Sequence, residues 1–401
     1  MKKIILKNGL TVIVEKRKTK SVTVQVMVRT GSNYENEKIA GISHFIEHMV
    51  FEGTKNRTAI QIANEIESLG GEINAATSTE RTIYYITVLK KYFDTAINVL
   101  ADLIQNPLFE EKPLEKERGV VLDEVNMVID DPKKYQWVLF QKTMYKKHPA
   151  RNPIYGTAEA IKTITRQDMT NYYEKYYTPN NMIITVVGNV KDAEQKIEQA
   201  FKFQQGETAR RETVKEPELE KPEVFIENRE ILQSYMTLGY KTVARTHEDS
   251  YAIDVIRSIL GRGQSSKLFD EIRVKRGLAY SLGVIHDSEV DYGWLAVYVG
   301  TDKKNIETIK EIILKEVKNL GKVTSKELKD AKKFIEGNYY LENEDNHTMA
   351  DNLASWELVG DLQGADEYVR RIKKVTKQDI KRVVEKYLQN YVYVGIEQRS
   401  N

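Results

Sequence analysis

Residues 21–28, Ser-Val-Thr-Val-Gln-Val-Met-Val, alternate polar and apolar side chains. That period of two predicts a half-buried strand. Ahead of it, Ile4-Ile-Leu6 and Leu10-Thr-Val-Ile-Val14 flank Asn8-Gly9 and predict a β-hairpin. Residues 82–89 are again strand-like. The pattern then changes to a helical period. Ile62, Ile66 and Leu69 share one face of a helix over 58–69, opened by a Thr58/Gln61 capping box and stopped by Gly70-Gly71. Phe93, Ile97, Leu100 and Ile104 form the stripe of a second helix over 90–105, before Pro107. Strands interleaved with helices, together with hairpin signals, predict an α+β fold: an antiparallel-rich sheet with helices packed on one face.

The segment 204–223 is poor in apolar residues and rich in Lys, Glu and Pro, so it cannot bury itself and is expected to be a linker. It separates 1–203 from 224–401. The two parts look duplicated. Ile161-Lys162-x-x-Thr165-x-Gln167-Asp168 with Glu174-Lys175-Tyr176 recurs as Ile372-Lys373-x-x-Thr376-x-Gln378-Asp379 with Glu385-Lys386-Tyr387. Each matched pair lies 211 positions apart, and eight of the sixteen ungapped positions are identical. Both copies place a Thr N-cap three residues before an acidic residue, open a helix, and lead into a strand ending in Val-Gly.

Composition narrows the chemistry. The chain has 401 residues, 41% hydrophobic, enough for two cores rather than a disordered chain. Sixty-one basic against 59 acidic residues leave a net charge of +2, which gives no electrostatic case for nucleic acid. There is no cysteine, so disulfides, thiolate metal sites and a Cys nucleophile are excluded. The apolar run Ile4–Leu6 is shorter than the roughly 7–15 residues of a signal-peptide core. No stretch approaches the ~20 that span a bilayer. A cytoplasmic protein without a membrane association is expected.

Of six histidines, two lie in His44-Phe-Ile-Glu47-His48. On a helix, Glu47 and His48, three and four residues on, share a face with His44, about 4.5 and 6 Å further along the axis. Two imidazoles at i and i+4 can grip one metal ion, and Glu47 sits where a general base must be to take a proton from metal-bound water. A hydrolytic site needs a third protein ligand. The helix after Pro113 offers Glu117 and Glu124, seven residues apart on one face with Val120, Val121 and Val128 on or near the same stripe. One can ligate while the other orients a ligand histidine, and spacing alone does not choose between them. His148, His247 and His347 stand in polar, loop-like settings that suit structural or solvated roles.

These residues resemble the inverted H-x-x-E-H motif of the inverzincins, and the chain as a whole looks like the pitrilysin/insulinase-type zinc metallopeptidases, in their short, processing-peptidase-like branch. The likeness covers nearly the whole chain. It rests on Gly41-x-x-His-Phe-x-Glu-His-Met-x-Phe-x-Gly-Thr54, Gly70-Gly-x-x-Asn74-Ala75-x-Thr77, Glu117-Arg-x-Val-x-x-x-Glu124 and Tyr177-Thr-Pro-x-Asn-Met182. In the second half it rests on Ser265-Ser-x-Leu-Phe-x-x-x-Arg273 and Arg276-Gly-Leu-Ala-Tyr280.

The resemblance implies duplicated α+β halves and one Zn²⁺ per chain held by His44, His48 and Glu124, with Glu117 as the carboxylate behind them. It implies that Asn74-Ala75 lie on an edge strand that receives the substrate backbone, and that Arg273 and Tyr280 contact the substrate carbonyl. The second half has no H-x-x-E-H, so the metal chemistry is expected in 1–203 only. The expected activity is a zinc endopeptidase acting on unfolded or extended peptides. Because one chain carries both the zinc motif and the Arg/Tyr pair, the resemblance implies a self-sufficient homodimer. Two other readings remain open at this point: a non-catalytic assembly subunit of a peptidase-like complex, and a metallohydrolase for non-peptide substrates.

Overall fold

The turn at Asn8-Gly9, with Gly9 at φ +90°, joins β1 (Lys2–Ile5) antiparallel to β2 (Thr11–Glu15). This hairpin begins the first of two sheets in a computed structural model that describes residues 1–401 except 204, 205, 207, 208, 210, 213, 400 and 401. Six of those positions fall in the expected 204–223 linker and lie outside the described residues. The remaining strands of the first sheet are β3 (Ser21–Val28), β4 (Glu72–Thr77), β5 (Thr82–Leu89) and β6 (Met182–Gly188). Their order is β1-β2-β6-β3-β5-β4, with β2 parallel to β6 and the other pairs antiparallel.

The second sheet repeats the plan without the initial hairpin strand. It holds β7 (Glu223–Arg229), β8 (Ser234–Thr242), β9 (Ala279–Ser288), β10 (Gly293–Thr301) and β11 (Val392–Gln398), in the order β7-β11-β8-β10-β9. Like β2 and β6, β7 and β11 are parallel, and the rest are antiparallel. The repeated sequence is the same local structure twice. Thr165 and Asp168 form a capping box before β6, and Thr376 and Asp379 form one before β11.

The helices that matter to the site are α1 (Ile42–Phe51), α2 (Ala59–Glu67), α3 (Phe93–Gln105) and α4 (Glu111–Asp130). Helix α4 starts ahead of Pro113, which sits in its first turn rather than before it. In that turn a missing N–H costs nothing. Ile62, Ile66, Phe93, Ile97, Leu100 and Ile104 are buried with Val22, Val24, Val26, Tyr84 and Ile86 of the sheet, so the helical stripes meet the apolar face of β3 and β5.

Two compact units divide the chain, and they are not simple linear halves. One comprises Met1–Met127, Asn152–Glu212 and Glu342–Ala365. The other comprises Val128–Arg151, Thr213–Leu341 and Asp366–Asn401. Each therefore takes a segment from the other half of the sequence. In the first unit, α5 (Asn346–Leu358) lies on the face of the sheet opposite α1–α3. Strand β3 is consequently buried on both faces rather than one. Thr23 and Gln25, polar by the alternating pattern, are fully buried there, and Asn346 donates to Thr19 and Ser21. His347 belongs to this helix, not to a loop, and stacks on Tyr85 with ring centroids 3.6 Å apart. In the second unit, the segment Pro132–Met144 is a helix whose Leu139, Phe140 and Met144 join Trp294, Ala296, Val392 and Val394 in a core. His148 lies in a loop but is buried, with Nε2 3.1 Å from Asp291. No helix among the described residues is long and apolar enough to cross a membrane.

Candidate metal centre

Helix α1 begins at Gly41, whose φ of +93° a side chain would strain. With no hydroxyl or carboxamide at that N-cap, the first backbone donors are satisfied from elsewhere. The carboxylate of Glu35 accepts from Gly41 N at 2.6 Å and Ser43 N at 2.8 Å. Ile42, Phe45, Ile46 and Met49 are buried in the core, which turns His44, Glu47 and His48 together toward α4.

There the expected ligands converge. His44 Nε2 lies 3.3 Å and His48 Nε2 3.6 Å from Glu124 Oε2. Ligand atoms of the three residues all lie within 4.8 Å of one another. Ligands 2.0–2.1 Å from a tetrahedral zinc are separated by about 3.3 Å, so the donor set fits that ion. Glu117, on the same face of α4 as Glu124, meets the other nitrogen of His48 instead. Its Oε2 lies 3.2 Å from His48 Nδ1, which leaves Nε2 directed at the centre. Burial pushes the Glu117 carboxyl up, but the bonds from His48 and Lys116 outweigh it and hold its pKa below the usual carboxylate range. Of the valines on this helix, Val121 and Val128 are buried, while Val120 points to solvent.

The His44 imidazole is pushed down to about 3, first by burial and then by His48, so it is the neutral form that a metal requires. Glu47 is moved in the opposite direction. Burial raises its pKa, the Thr77 hydrogen bond and His48 oppose that, and Glu124 adds to it. A carboxylate with a raised pKa beside a metal site is suited to accept and return a proton. Thr77, the last residue of β4, donates its hydroxyl hydrogen to Glu47.

Strand β4 is the edge of its sheet, as expected for Asn74-Ala75. Asn74 is exposed, Ala75 is half-buried, and the Ala75 N–H is satisfied by Asn74 Oδ1 at 2.9 Å. Arg273 and Tyr280 belong to the second compact unit. Arg273 donates to the Tyr280 carbonyl at 2.9 Å and covers its ring at 5.2 Å, while the Tyr280 side chain is 77% exposed. The first unit contributes three residues that the sequence did not single out for the site. Thr77 is legible in retrospect because period two puts it on the Ala75 face. Glu35 and Tyr155 lie in irregular segments with no periodic signal. Tyr155 sets its ring 5.0 Å from that of His44, and its phenol is pushed up by burial and then by Glu124 and Glu47.

Comparison with known proteins agrees with this geometry. Residues 10–158 match the model of the insulinase family (peptidase family M16), and residues 163–335 match that of the peptidase M16 inactive domain. The chain belongs to the M16 peptidase family. Within this family, it is 34% identical to the uncharacterized zinc protease YmxG of Bacillus subtilis over 95% of this chain and 94% of that one. An uncharacterized zinc protease of Rickettsia bellii is 31% identical, over 94% and 92% of the two chains. Among solved structures, a protease from Helicobacter pylori superposes with a TM-score of 0.94 at 26% identity, covering 99% of both chains. A Pseudomonas fluorescens structure described as a peptidase M16 inactive domain shares the fold, with a TM-score of 0.91 at 20% identity over 100% of this chain and 98% of that one. The M16 fold is thus present in both repeats, and the candidate metal ligands all lie in the first.

Proposed function

We propose that this M16 protein is a zinc-dependent endopeptidase that cleaves unfolded or extended peptides. The observation that carries the reading is the convergence of His44, His48 and Glu124 beside a half-buried Glu47 whose pKa is raised by desolvation. A zinc ion held by those three residues would polarise the scissile carbonyl and acidify the attacking water. Glu47 takes the proton from that water and delivers it to the leaving amine. Thr77 holds the Glu47 carboxylate toward the site, and Glu117 keeps the His48 ring in place.

Substrate enters as an added strand on β4. An edge strand offers backbone donors and acceptors, and the small side chains of Ala75 and Ala76 leave room for a second chain. Asn74 would release the Ala75 N–H to the incoming peptide. Arg273 and Tyr280 supply the donors for the developing oxyanion. The exposure of Tyr280 and the clamp of Arg273 on its carbonyl support that role. The working form is a cytoplasmic homodimer with one zinc per chain, each pair serving the partner's zinc.

The test is cleavage of a quenched fluorescent peptide by the purified chain, with a chelator control and zinc add-back. Chelator-sensitive cleavage restored by zinc is expected. Failure to bind metal and to cleave would overturn the reading in favour of an assembly subunit. Chelator-insensitive cleavage would remove zinc from it.

A further inference from the structure

The two ligand histidines are held by different means. His48 has a carboxylate on its outer ring nitrogen, with Glu117 Oε2 3.2 Å from Nδ1. His44 Nδ1 is buried and has no hydrogen-bond partner among the described residues. A metal-bound imidazole is ordinarily fixed in tautomer and plane by a hydrogen bond from its second nitrogen. For His44, no group among the described residues supplies that restraint.

What the His44 ring does meet is aromatic. Its centroid lies 5.0 Å from that of Tyr155, with the planes at 81°, and 4.7 Å from that of His48, with the planes at 74°. The imidazole is therefore in edge-to-face contact with two rings. Such contacts are favourable beyond the area they bury, because the positive edge of one ring meets the negative face of the other. They restrict rotation about the ring bond because a turned ring loses the edge-to-face geometry.

Tyr155 is itself fixed in place. Gly156, at φ +74°, is so close to the start of α1 that an added Cβ would lie 2.2 Å from the Ala40 carbonyl oxygen. A Cβ on Gly41 would lie 2.8 Å from the Tyr155 carbonyl oxygen. The backbone that carries Tyr155 is thus wedged against the N-terminus of the helix that carries His44, three residues before that histidine. Ring and imidazole are held from one anchored junction.

We propose that Tyr155 is a positioning residue whose ring fixes the plane of the His44 imidazole, the role that Glu117 fills for His48. The inference rests on the reading of His44, His48 and Glu124 as a zinc site. It assigns the effect to the aromatic ring and not to the hydroxyl, so the conservative variant separates the two.

The experiment measures zinc affinity by competition with a chromophoric chelator, and the visible spectrum of the cobalt-substituted protein. The proteins are the wild type, Tyr155→Phe, Tyr155→Leu and Tyr155→Met, each also melted without metal. Tyr155→Phe is expected to match the wild type. Tyr155→Leu and Tyr155→Met are expected to bind zinc about tenfold more weakly and to shift the cobalt bands. The Met variant, with a flexible chain that fills irregular space, reads the effect if the Leu variant does not fold. Wild-type affinity and spectrum in a folded aliphatic variant would overturn the inference. So would a loss in Tyr155→Phe equal to that in Tyr155→Leu, which would assign the effect to the hydroxyl. A wild-type protein that takes up no zinc would instead overturn the metal-centre reading itself.

Discussion

Thr77 donates its hydroxyl hydrogen to Glu47, so the last residue of the edge strand β4 is bonded to the proposed general base. The edge strand and the proposed base are thereby tied together by a hydrogen bond. Glu47→Gln should retain zinc and lower kcat by about 10²–10⁴, the usual contribution of general-base catalysis. Thr77→Val should also retain zinc, and should lower kcat roughly tenfold because Glu47 loses the bond that aims it. Metal analysis beside steady-state kinetics checks both. Normal turnover in Glu47→Gln would rule out its role as the base.

The two carboxylates on α4 meet different histidine nitrogens, Glu117 the His48 Nδ1 and Glu124 the Nε2 atoms of His44 and His48. Glu124→Gln should lose zinc because it weakens a ligand. Glu117→Gln should keep the site but bind zinc about 10–100-fold more weakly, as expected for a group that orients a ligand histidine. Chelator competition reads the difference, and equal losses in the two variants would contradict the assignment.

The seven-residue spacing of Glu117 and Glu124 put both on one face but left their roles open. Distances to His48 and His44 are what distinguish them. The strands were legible where β-branched and aromatic residues run together, as in the hairpin and β5. The alternation of β3 was legible too, but not the burial of its polar face. The helix that covers Gln25 comes from residues 346–358, more than 300 positions away in sequence. Periodicity reports which face is apolar, not what lies against the other. Glu35 and Tyr155 reach the site from irregular segments, where no period marks them.

Glu35 gives the protein a pH dependence of defined sign. Its carboxyl is pushed up from 4.5 to about 7, mainly by burial, against the opposing bonds from Gly41 and Ser43. The folded state therefore holds a proton that the unfolded chain releases. That term is fully present below about pH 4.5 and is lost as pH rises through 7, on the order of 3 kcal/mol in all. Glu35→Gln should be less stable at acid pH, because an amide cannot accept both backbone N–H groups. Its stability should lack the decline between pH 5 and 8 that this group gives the wild type. Thermal melts across that range measure it, and parallel slopes in the two proteins would refute the assignment.

Gly156→Ala tests the junction that seats the start of α1. The residue has φ +74°, and the added methyl would lie 2.2 Å from the Ala40 oxygen and 2.7 Å from the Gly41 Cα, both backbone. Left-handed strain and overpacking together should cost about 2–4 kcal/mol. A lower melting temperature with weaker zinc binding is expected, since the displaced element carries His44. An unchanged melting temperature would show that the loop can move away at little cost.

Arg273 and Tyr280 lie in the second compact unit, and the proposal has each chain lend them to its partner. That assignment has a consequence that no single-chain scheme shares. Tyr280→Phe keeps a complete metal centre and Glu47, while Glu47→Gln keeps Arg273 and Tyr280. Each homodimer should be nearly inactive. If equimolar protein is mixed and allowed to exchange, half of the dimers are mixed. One of the two sites in each mixed dimer then combines an intact metal centre with an intact Tyr280, so about one quarter of wild-type activity should return. Wild-type activity per chain should also fall on dilution below the dimer dissociation constant. No recovery on mixing, with exchange verified by mass, would place Tyr280 in service of its own chain's zinc. Full activity in a verified monomer would exclude the dimeric arrangement altogether.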